Sequence, residues 1–201
     1  MEHYVINMLK HIDYPNGFYI ESGSNNGFDQ SYTYELEKKG WRGILIEPSK
    51  MAFDECVRIR SNENIFVNCA LVGDENVKEV KGDFDGNMMS SVDGKRTGRP
   101  AKDIVKARTL NDILSCLGIV NIDLASLDME GYELEALKGF DLQRYKPKFL
   151  VIEVYNHLID ELWAMMRLNN YELIENLTGY NKKEYPNWDG TYNDYLFKRK
   201  E

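Results

Sequence analysis

Two apolar strands that each end in an acid, with a glycine turn after the first, constrain the fold of this chain most strongly. The first strand ends near Glu21 and is followed by Gly23 and Gly27. The second, about twenty residues later, is the run GILIEP, which contains Glu47. Glycines at a strand-to-helix turn let the backbone pass close to a ligand, and the second acid can bond two ribose hydroxyls. The pattern is typical of a nucleoside-cofactor site in an α/β fold.

The spacing of the glycines indicates which cofactor the turn binds. A dinucleotide fingerprint needs G-x-G-x-x-G, which places a pyrophosphate on a helix N-terminus. Asn25 stands where the second glycine is required, so a nicotinamide-dependent oxidoreductase is disfavoured. The pattern E-x-G-x-x-x-G resembles instead the first motif of S-adenosylmethionine-dependent methyltransferases, whose cofactor carries no phosphate. This resemblance implies a set of cofactor-binding residues at the two strand ends: Glu21, Gly23, Ser24, Asn25, Gly27, Glu47 and Pro48.

Composition and charge narrow the class of protein. The 201 residues, 43% of them hydrophobic, fit a single domain over 1–201 with a sizeable core. A net charge of −8 argues against a nucleic-acid partner, whose binding depends on neutralised phosphates. The 3 cysteines show no C-x-x-C pairing, which favours a reducing cytoplasm, and no stretch reaches the length of a membrane span. The sequence leaves the oligomeric state open.

Strands alternate with helices along most of the chain. Strands are expected over 18–22, 42–47, 65–72, 124–128, 149–154, 171–177 and 194–198, and helices over 29–39, 49–60, 110–117, 131–138 and 157–169. The alternation predicts a mostly parallel, Rossmann-like seven-stranded sheet with helices on both faces. The last two strands lack a connecting helix, so the last strand should be antiparallel. Residues 1–17 are expected to form an N-terminal helical extension.

The stretch 85–100 has no regular periodicity. It contains three glycines and a proline. Long loops of this kind in compact domains are often functional or disordered. Two interpretations stay open: a disordered surface loop, or a mobile lid over the site.

Six segments in fixed order carry a closer resemblance. They are ESGSNNG at 21–27, IEPS at 46–49, NCALVGD at 68–74, TLNDIL at 109–114, LDMEGYELEALKG at 127–139 and LVIEV at 150–154. The chain is similar in these segments to the FkbM-type methyltransferases, over about residues 18–156. The resemblance implies the class I methyltransferase fold, S-adenosylmethionine as cofactor, and Asn68 and Ala70 beside its adenine. Two departures are Glu21, where the family more often has Asp, and Ser126, where it often has Lys.

Acids and an amide follow two neighbouring strand ends. Asp128 and Glu130 follow the fourth strand, and Glu153 lies at the end of the fifth with Asn156 and His157 beyond it. This set resembles the magnesium constellation of catechol-type O-methyltransferases, so Asp128, Glu153 and Asn156 are predicted to hold Mg²⁺ or Mn²⁺. Asp128 is also predicted to contact the cofactor. The alternative is that Asp128 and Glu130 cap the next helix.

Candidate catalytic and acceptor-binding residues follow from the same region. Asp128, Glu153 and His157 are the candidate catalytic groups, although a histidine that opens a helix is as often a cap or surface residue. Glu130, Asn156, Trp188 and Tyr192 are the candidate substrate contacts. The aromatic stretch 179–192 is either a wall of the acceptor pocket or a long hairpin connection.

The leading functional prediction is a methyltransferase that methylates a hydroxyl on a sugar, glycan or small metabolite. An RNA ribose 2′-O-methyltransferase is a rival, but that chemistry commonly uses a lysine where this chain has Glu153. A second rival is a non-catalytic module that keeps the fold. The acids at positions 21, 47, 128 and 153 are all present, which disfavours a degenerate site.

Overall fold

The computed structural model describes residues 1–85, 89–94, 96 and 98–200. Its strands are β1 Phe18–Ser22, β2 Arg42–Ile46, β3 Ile65–Val67, β4 Ala70–Leu71, β5 Glu79–Gly82, β6 Asp103–Arg108, β7 Leu124–Leu127, β8 Phe149–Tyr155, β9 Tyr171–Asn176 and β10 Tyr192–Arg199. Its α-helices are α1 His3–Leu9, α2 Tyr34–Glu37, α3 Lys50–Ile59, α4 Leu110–Leu117, α5 Glu133–Lys138 and α6 Ile159–Leu168, the last preceded by a 3₁₀ turn at Asn156–Leu158. None of these described helices has both the length and the apolarity needed to cross a membrane.

A seven-stranded sheet carries the architecture. Its strand order is β3-β2-β1-β7-β8-β10-β9. Neighbours from β3 to β8 pair in parallel, whereas β10 pairs antiparallel with both β8 and β9. The mostly parallel sheet with an antiparallel last strand is therefore confirmed. The order reverses beside β1, so the carboxyl ends of β1 and β7 border the crevice where open α/β sheets bind ligands.

Both faces of the sheet are covered, as the apolar runs predict. Along β2, Ile44 and Ile46 join a core cluster with α4, α5 and α6, whereas Leu45 between them joins a second cluster with α1, α2 and α3. Successive side chains of a strand point to opposite faces, so a strand buried on both sides needs an unbroken apolar run. The predicted helices on both faces are confirmed.

The strand expected over 65–72 is two strands in different sheets. β3 lies at the edge of the large sheet, and β4 pairs with β6 in a small three-stranded sheet completed by β5. The break falls at Asn68, whose Nδ2 donates to the carbonyl oxygens of Glu47 at 2.7 Å and Pro48 at 3.1 Å. Continuous strand pairing over 65–72 was therefore wrong, and the bend carries residues 69–71 towards the ends of β1 and β2.

Within the helix expected over 29–39, only α2 at Tyr34–Glu37 is helical, so the prediction is wrong for its first half. The cause is Glu21, whose carboxylate accepts from the backbone N–H groups of Tyr32 at 3.0 Å and Thr33 at 3.3 Å. In a helix that began at Asp29 the Thr33 N–H would bond the Asp29 carbonyl, whereas here it donates to Glu21. Gln30 has a φ of 58°, which also excludes a continuous right-handed helix.

The loop prediction over 85–100 falls partly on residues 86–88, 95 and 97, which lie outside the described residues. Among the others, Val92 forms an isolated bridge with Gly82, and the Ser91 N–H donates to the Asp83 carboxylate at 2.7 Å. The described part of the loop is thus attached to β5. Its mobility stays a prediction.

Candidate active site

The turn after β1 packs so tightly that its glycines are required by their neighbours. Gly23 has a φ of 76°, and a Cβ there would lie 1.7 Å from the backbone oxygen of Asp128. Gly27, with a φ of 79°, would meet Arg60 at 2.7 Å and Cys56 at 2.8 Å. The N–H groups of Gly23 and Ser24 both donate to the Ile46 carbonyl, at 3.0 and 3.1 Å. The turn is therefore joined to the end of β2 and lies directly against the residue after β7.

Glu21 organises the chain that follows the turn. Its side chain is buried and accepts bonds from Ser31 and Thr33 hydroxyls, in addition to the backbone N–H groups described above. Arg60 Nη1 lies 3.2 Å from Glu21 Oε2, and Arg60 Nε lies 2.8 Å from Glu37 Oε2. This buried pair shapes the wall of the site, and direct contact between Glu21 and a cofactor stays a prediction.

Glu47 lies at the end of β2 with one protein partner on each carboxylate oxygen. Oε2 accepts from the Asn25 N–H at 2.8 Å, and Oε1 accepts from the Ser49 N–H at 2.8 Å. Burial raises the pKa of Glu47 to about 7, although the two amide bonds act in the opposite direction. Each oxygen keeps acceptor capacity, since a carboxylate oxygen can take about two bonds. Glu47 can therefore still bind a diol.

A cavity beside the turn, the turn cavity, collects most of the residues predicted to bind a cofactor. Eight of them line it: Glu21, Gly23, Ser24, Asn25, Glu47, Pro48, Ala70 and Asp128. Two others do not line it. Gly27 packs against α3, and Asn68 spends its Nδ2 on two backbone carbonyls at the end of β2. The predicted place of Asn68 beside an adenine stays a prediction.

The turn cavity also has walls that sequence reasoning missed. Cys69 and Leu71 lie beside Ala70 on its apolar side, and Ser91 lines it from the described part of the 85–100 loop. The bend between β3 and β4 puts the apolar residues there. A flat aromatic base can pack against such a surface, with Glu47 placed for the attached ribose.

A second cavity, the acid cavity, adjoins the first and has a volume of about 360 Å³. Four residues line both cavities: Gln30, Tyr32, Asp128 and Glu130. The acid cavity is further lined by Glu153, by Asp194 and by Tyr4, Tyr180 and Tyr192. Its volume lies within the range of small-molecule sites, roughly 300–1,000 Å³. A group bound in one cavity can thus reach a group bound in the other across Tyr32 and Asp128.

Three carboxyl groups meet beside the acid cavity, which Asp128 and Glu153 line and Glu133 does not. Oxygen atoms of Asp128, Glu133 and Glu153 all lie within 4.8 Å of one another. Glu133 Oε1 accepts from the N–H groups of Met129 at 2.6 Å and Gly131 at 3.2 Å, whereas Glu153 Oε2 is buried with no hydrogen-bond partner. Sequence reasoning missed Glu133, because a glutamate at the first position of a helix usually has only a capping role.

The close approach of these acids changes their ionisation. Burial, followed by repulsion from Glu130 and other nearby acids, raises the pKa of Asp128 well above its ordinary range. Burial and repulsion from Asp128 do the same for Glu153. Ionising both groups costs free energy, because two neighbouring buried carboxylates repel each other. At least one of them therefore holds a proton near neutral pH. Perturbed acids in a cavity are typical of functional sites.

Glu130 and Asp194 border the acid cavity with defined partners. Glu130 Oε2 accepts from the Tyr155 hydroxyl at 2.8 Å and from Arg96 Nε at 3.1 Å. Asp194 Oδ2 accepts from the Tyr32 hydroxyl at 2.6 Å, and burial raises the pKa of Asp194 to about 6. Nothing near Asp194 in the sequence distinguishes it from any strand acid, so only the sheet order reveals it.

The structure does not bring three predicted residues to the acid cavity. Asn156 is exposed and its Nδ2 donates to the Gly190 carbonyl at 2.6 Å, and His157 is exposed on the 3₁₀ turn. Trp188 is half-buried, with its ring 6.3 Å from that of Tyr180, and does not line the cavity. Tyr192 does line it. The chain turns outward after β8, so Asn156 and His157 on the 3₁₀ turn leave the site.

The strand order, the glycine turn and the two adjoining cavities together define a class I methyltransferase-type domain. A sequence model of the methyltransferase FkbM domain matches residues 21–173. The chain therefore belongs to the FkbM methyltransferase family. A comparison with curated protein sequences found no significant match.

Solved structures agree on the fold. An S-adenosylmethionine-dependent methyltransferase from Geobacter sulfurreducens, in complex with S-adenosyl-L-homocysteine, matches with a TM-score of 0.54 at 7% identity, over 100% of this chain and 92% of that one. A ribosomal protein L11 methylase from Lactobacillus delbrueckii subsp. bulgaricus has a TM-score of 0.54 at 8% identity, over 98% and 77%. A precorrin-6y C5,15-methyltransferase from Geobacter metallireducens has a TM-score of 0.53 at 9% identity, over 98% and 88%. Since one is named for a protein and another for a small molecule, the shared fold leaves the acceptor undetermined.

Proposed function

We propose that this member of the family transfers a methyl group from S-adenosylmethionine to a hydroxyl of a small-molecule acceptor, such as a sugar, a glycan or a small metabolite. The observation that carries the proposal is the junction of the two cavities at Tyr32, Asp128 and Glu130. Bound S-adenosylmethionine supplies an electrophilic methyl group on a sulfonium. An in-line displacement needs donor and acceptor on either side of one point, and alignment alone is worth about 7–11 kcal/mol in well-oriented systems.

The turn cavity fits the proposed cofactor by its donor set. The buried carboxylate of Glu47 has free acceptor capacity for the two ribose hydroxyls, and the apolar surface at 69–71 suits a base. The tight turn at Gly23 leaves backbone rather than side chain facing the cavity. Asp128 borders the junction, where an acid suits the cationic amino acid part of the cofactor.

The acid cavity supports the acceptor half of the reaction. We assign Asp128 and Glu153 to hold the acceptor hydroxyl and receive its proton as the new carbon–oxygen bond forms and the sulfur–carbon bond breaks. A carboxylate whose pKa is raised by burial is a better base than an exposed one, and such assistance typically contributes about 10²–10⁴-fold. The acid lining also speaks against RNA as the acceptor, because phosphates would be repelled.

A divalent cation is a further element of the proposal. Asp128, Glu133 and Glu153 offer hard oxygen ligands of the kind that Mg²⁺ and Mn²⁺ prefer, and Glu153 Oε2 lacks a protein partner. Glu133 takes the place that the sequence prediction assigned to the outlying Asn156. The cation, when bound, would lower the pKa of an acceptor hydroxyl.

Calorimetric titration with S-adenosylhomocysteine tests the cofactor half directly. Glu47→Ala should weaken binding by about tenfold or more, because charge-assisted bonds to two hydroxyls are lost. Glu55→Ala is the matched control, since Glu55 is an exposed acid on α3. Unchanged affinity in a folded Glu47→Ala variant would refute the cofactor assignment.

Methyl transfer is then measured with the same protein and a panel of hydroxyl acceptors, with and without a chelator. Loss of turnover with the chelator, restored by Mg²⁺ or Mn²⁺, supports the cation. Turnover that survives the chelator excludes a role for the cation in methyl transfer. Asp128 and Glu153 then remain the proposed proton acceptors.

A further inference from the structure

The acid cavity is rich in negative groups and poor in positive ones. Among the described residues that line it are four acids, Asp128, Glu130, Glu153 and Asp194, and a single basic residue, Arg96. Arg96 is already matched, because its Nε lies 3.1 Å from Glu130 and its Nη2 lies 2.7 Å from Asp189. The described lining therefore offers several carboxyl groups and no unpaired basic group, which disfavours an anionic occupant.

One of these acids lacks any donor. Glu153 is 5% exposed and lines the cavity, and its Oε2 has no hydrogen-bond partner. A buried carboxylate oxygen without a donor is costly, and native structures rarely leave one so. The Glu153 side chain lines the cavity and Oε2 is buried beneath its surface, so a bound group would supply the missing donor once the carboxyl group rotates towards it.

Aromatic rings surround the same space. Tyr4, Tyr32, Tyr180 and Tyr192 all line the cavity. The rings of Tyr4 and Tyr32 lie 5.1 Å apart, and those of Tyr180 and Tyr192 lie 6.0 Å apart. The chain itself already places a cation on this surface, since the Arg96 guanidinium carbon lies 5.7 Å from the Tyr192 ring centre. Tyrosine rings attract organic cations through their π faces.

We infer that the acceptor carries a protonated amine next to the hydroxyl, held in the acid cavity by Glu153, Asp194 and the tyrosine rings. The inference rests on the proposed function and names its acceptor class: a hydroxylated amine, such as an amino sugar. The ammonium donates N–H bonds to Glu153 Oε2 and Asp194, and its carbon neighbours pack against the rings. A divalent cation beside the cavity would still leave Asp194 available for the ammonium.

Part of the lining of the acid cavity lies outside the residues that match the family. Tyr4, Tyr180, Tyr192 and Asp194 all lie outside residues 21–173, the part that matches the family. The turn cavity, in contrast, is lined by residues within that part and by none of these four. The wall that would recognise an ammonium thus combines Glu153 and Tyr32 from within the matched residues with four residues from outside them.

Three sugars of similar size and different charge test the inference. Glucosamine is cationic, N-acetylglucosamine is neutral and glucuronic acid is anionic, and each is titrated into protein saturated with S-adenosylhomocysteine, with EDTA and with Mg²⁺. Glucosamine should bind at least about tenfold more tightly than N-acetylglucosamine in both conditions, and glucuronic acid should bind least. Equal binding of the three sugars, or no binding by any, overturns the inference.

Variants identify the groups responsible. Asp194→Asn should reduce the preference for glucosamine to about threefold or less, whereas Glu184→Gln, an exposed acid in the preceding connection, should leave it unchanged. Tyr180→Leu should weaken glucosamine binding and Tyr180→Phe should retain it, because only the first removes the ring. An undiminished preference in Asp194→Asn and Tyr180→Leu would show that the ammonium is bound elsewhere and refute the assignment.

The same experiment separates this inference from the proposed function. Failure of S-adenosylhomocysteine to bind refutes the function itself. Binding of S-adenosylhomocysteine with methylation of neutral sugars alone keeps the function and rejects the amine. If neutral sugars bind more tightly than glucosamine in the presence of Mg²⁺, the acids of the cavity hold a metal ion rather than an ammonium group.

Discussion

Replacing Gly23 by alanine should damage the molecule far more than the same change at another left-handed glycine. Gly23 has a φ of 76°, and its added Cβ would lie 1.7 Å from the Asp128 carbonyl oxygen. Gly118 ends α4 with a φ of 68°, and a Cβ there would have no atom within 4 Å. The two positions therefore share the backbone conformation and differ only in the space available.

The structure sets the size of the difference. Each alanine carries the left-handed strain of an L residue, about 1–2 kcal/mol. At Gly23 the ends of β1 and β7 must also separate by about 1.5 Å, and overpacking of this kind typically costs about 1–3 kcal/mol more. For a chain of this size the melting temperature falls by about 2–4 °C per kcal/mol, so we expect a loss of about 4 °C for Gly118→Ala and about 10 °C for Gly23→Ala.

Thermal unfolding followed by circular dichroism measures both losses, and calorimetry measures the effect on S-adenosylhomocysteine binding. Gly23→Ala should also weaken that binding, because the displaced Asp128 borders the turn cavity. Gly118→Ala should bind as the unaltered protein does, since α4 does not line the cavity. Equal stability losses in the two variants would refute the close-packing account of the turn.

Three more predictions test the site and the residues that support it. Glu153→Gln should lower kcat and kcat/KM together by about tenfold or more in the methyl-transfer assay, with little change in cofactor affinity. Asp128→Asn should lower turnover by a similar factor and should also weaken S-adenosylhomocysteine binding, because Asp128 borders the turn cavity. Arg60→Met should lower the free energy of unfolding in urea by about 3–5 kcal/mol, because it leaves buried acids unpaired. Loss of the exposed ion pair between Arg42 and Glu63 should lower it by less than about 1 kcal/mol. Thermal unfolding should show a loss of stability as pH rises from about 4.5 to about 7, and this loss should be smaller in Glu133→Gln.

The direction of the pH effect follows from proton binding. Burial raises the pKa of Glu133 from 4.5 to about 7, so within that window the folded state keeps a proton that the unfolded state releases. Rising pH therefore favours the unfolded state. An unchanged dependence of stability on pH in Glu133→Gln contradicts this assignment. Full turnover in both Asp128→Asn and Glu153→Gln removes the two acids from the mechanism. Equal losses of unfolding free energy at Arg60 and Arg42 contradict the buried ion pair.

Local patterns predicted the fold, and they predicted eight residues that the structure brings together around the turn cavity. The apolar run before Glu47 is continuous because β2 is buried on both faces, and that burial places it inside a parallel sheet. Glu47 and the glycine turn are close in sequence to the strands that position them. Half of the residues that line the turn cavity therefore lie within about thirty residues of one another, a spacing that a sequence displays directly.

Long-range pairing escaped the same patterns. The prediction of a helix over 29–39 is wrong in its first half, where Glu21 binds backbone N–H groups about ten positions later. The residue types at those positions do not indicate this long-range contact. Arg60 pairs with Glu21 across 39 positions, which the helix pattern of α3 does not show. Asn156 and His157 have the right chemistry for the acid cavity but lie beyond the point where the chain turns outward.

The sequence by itself determined the methyltransferase-type sheet, the family and the glycine turn with Glu47, because alternating polarity and short spacings specify strands and their ends. Only the tertiary structure decided the acid cavity. Asp194 comes from β10, which enters the sheet between β8 and β9, and Tyr4 comes from the opposite end of the chain. Glu133 joins Asp128 and Glu153 only when α5 folds back beside β7 and β8. Such contacts arise from how strands order and helices pack, and no local pattern encodes them.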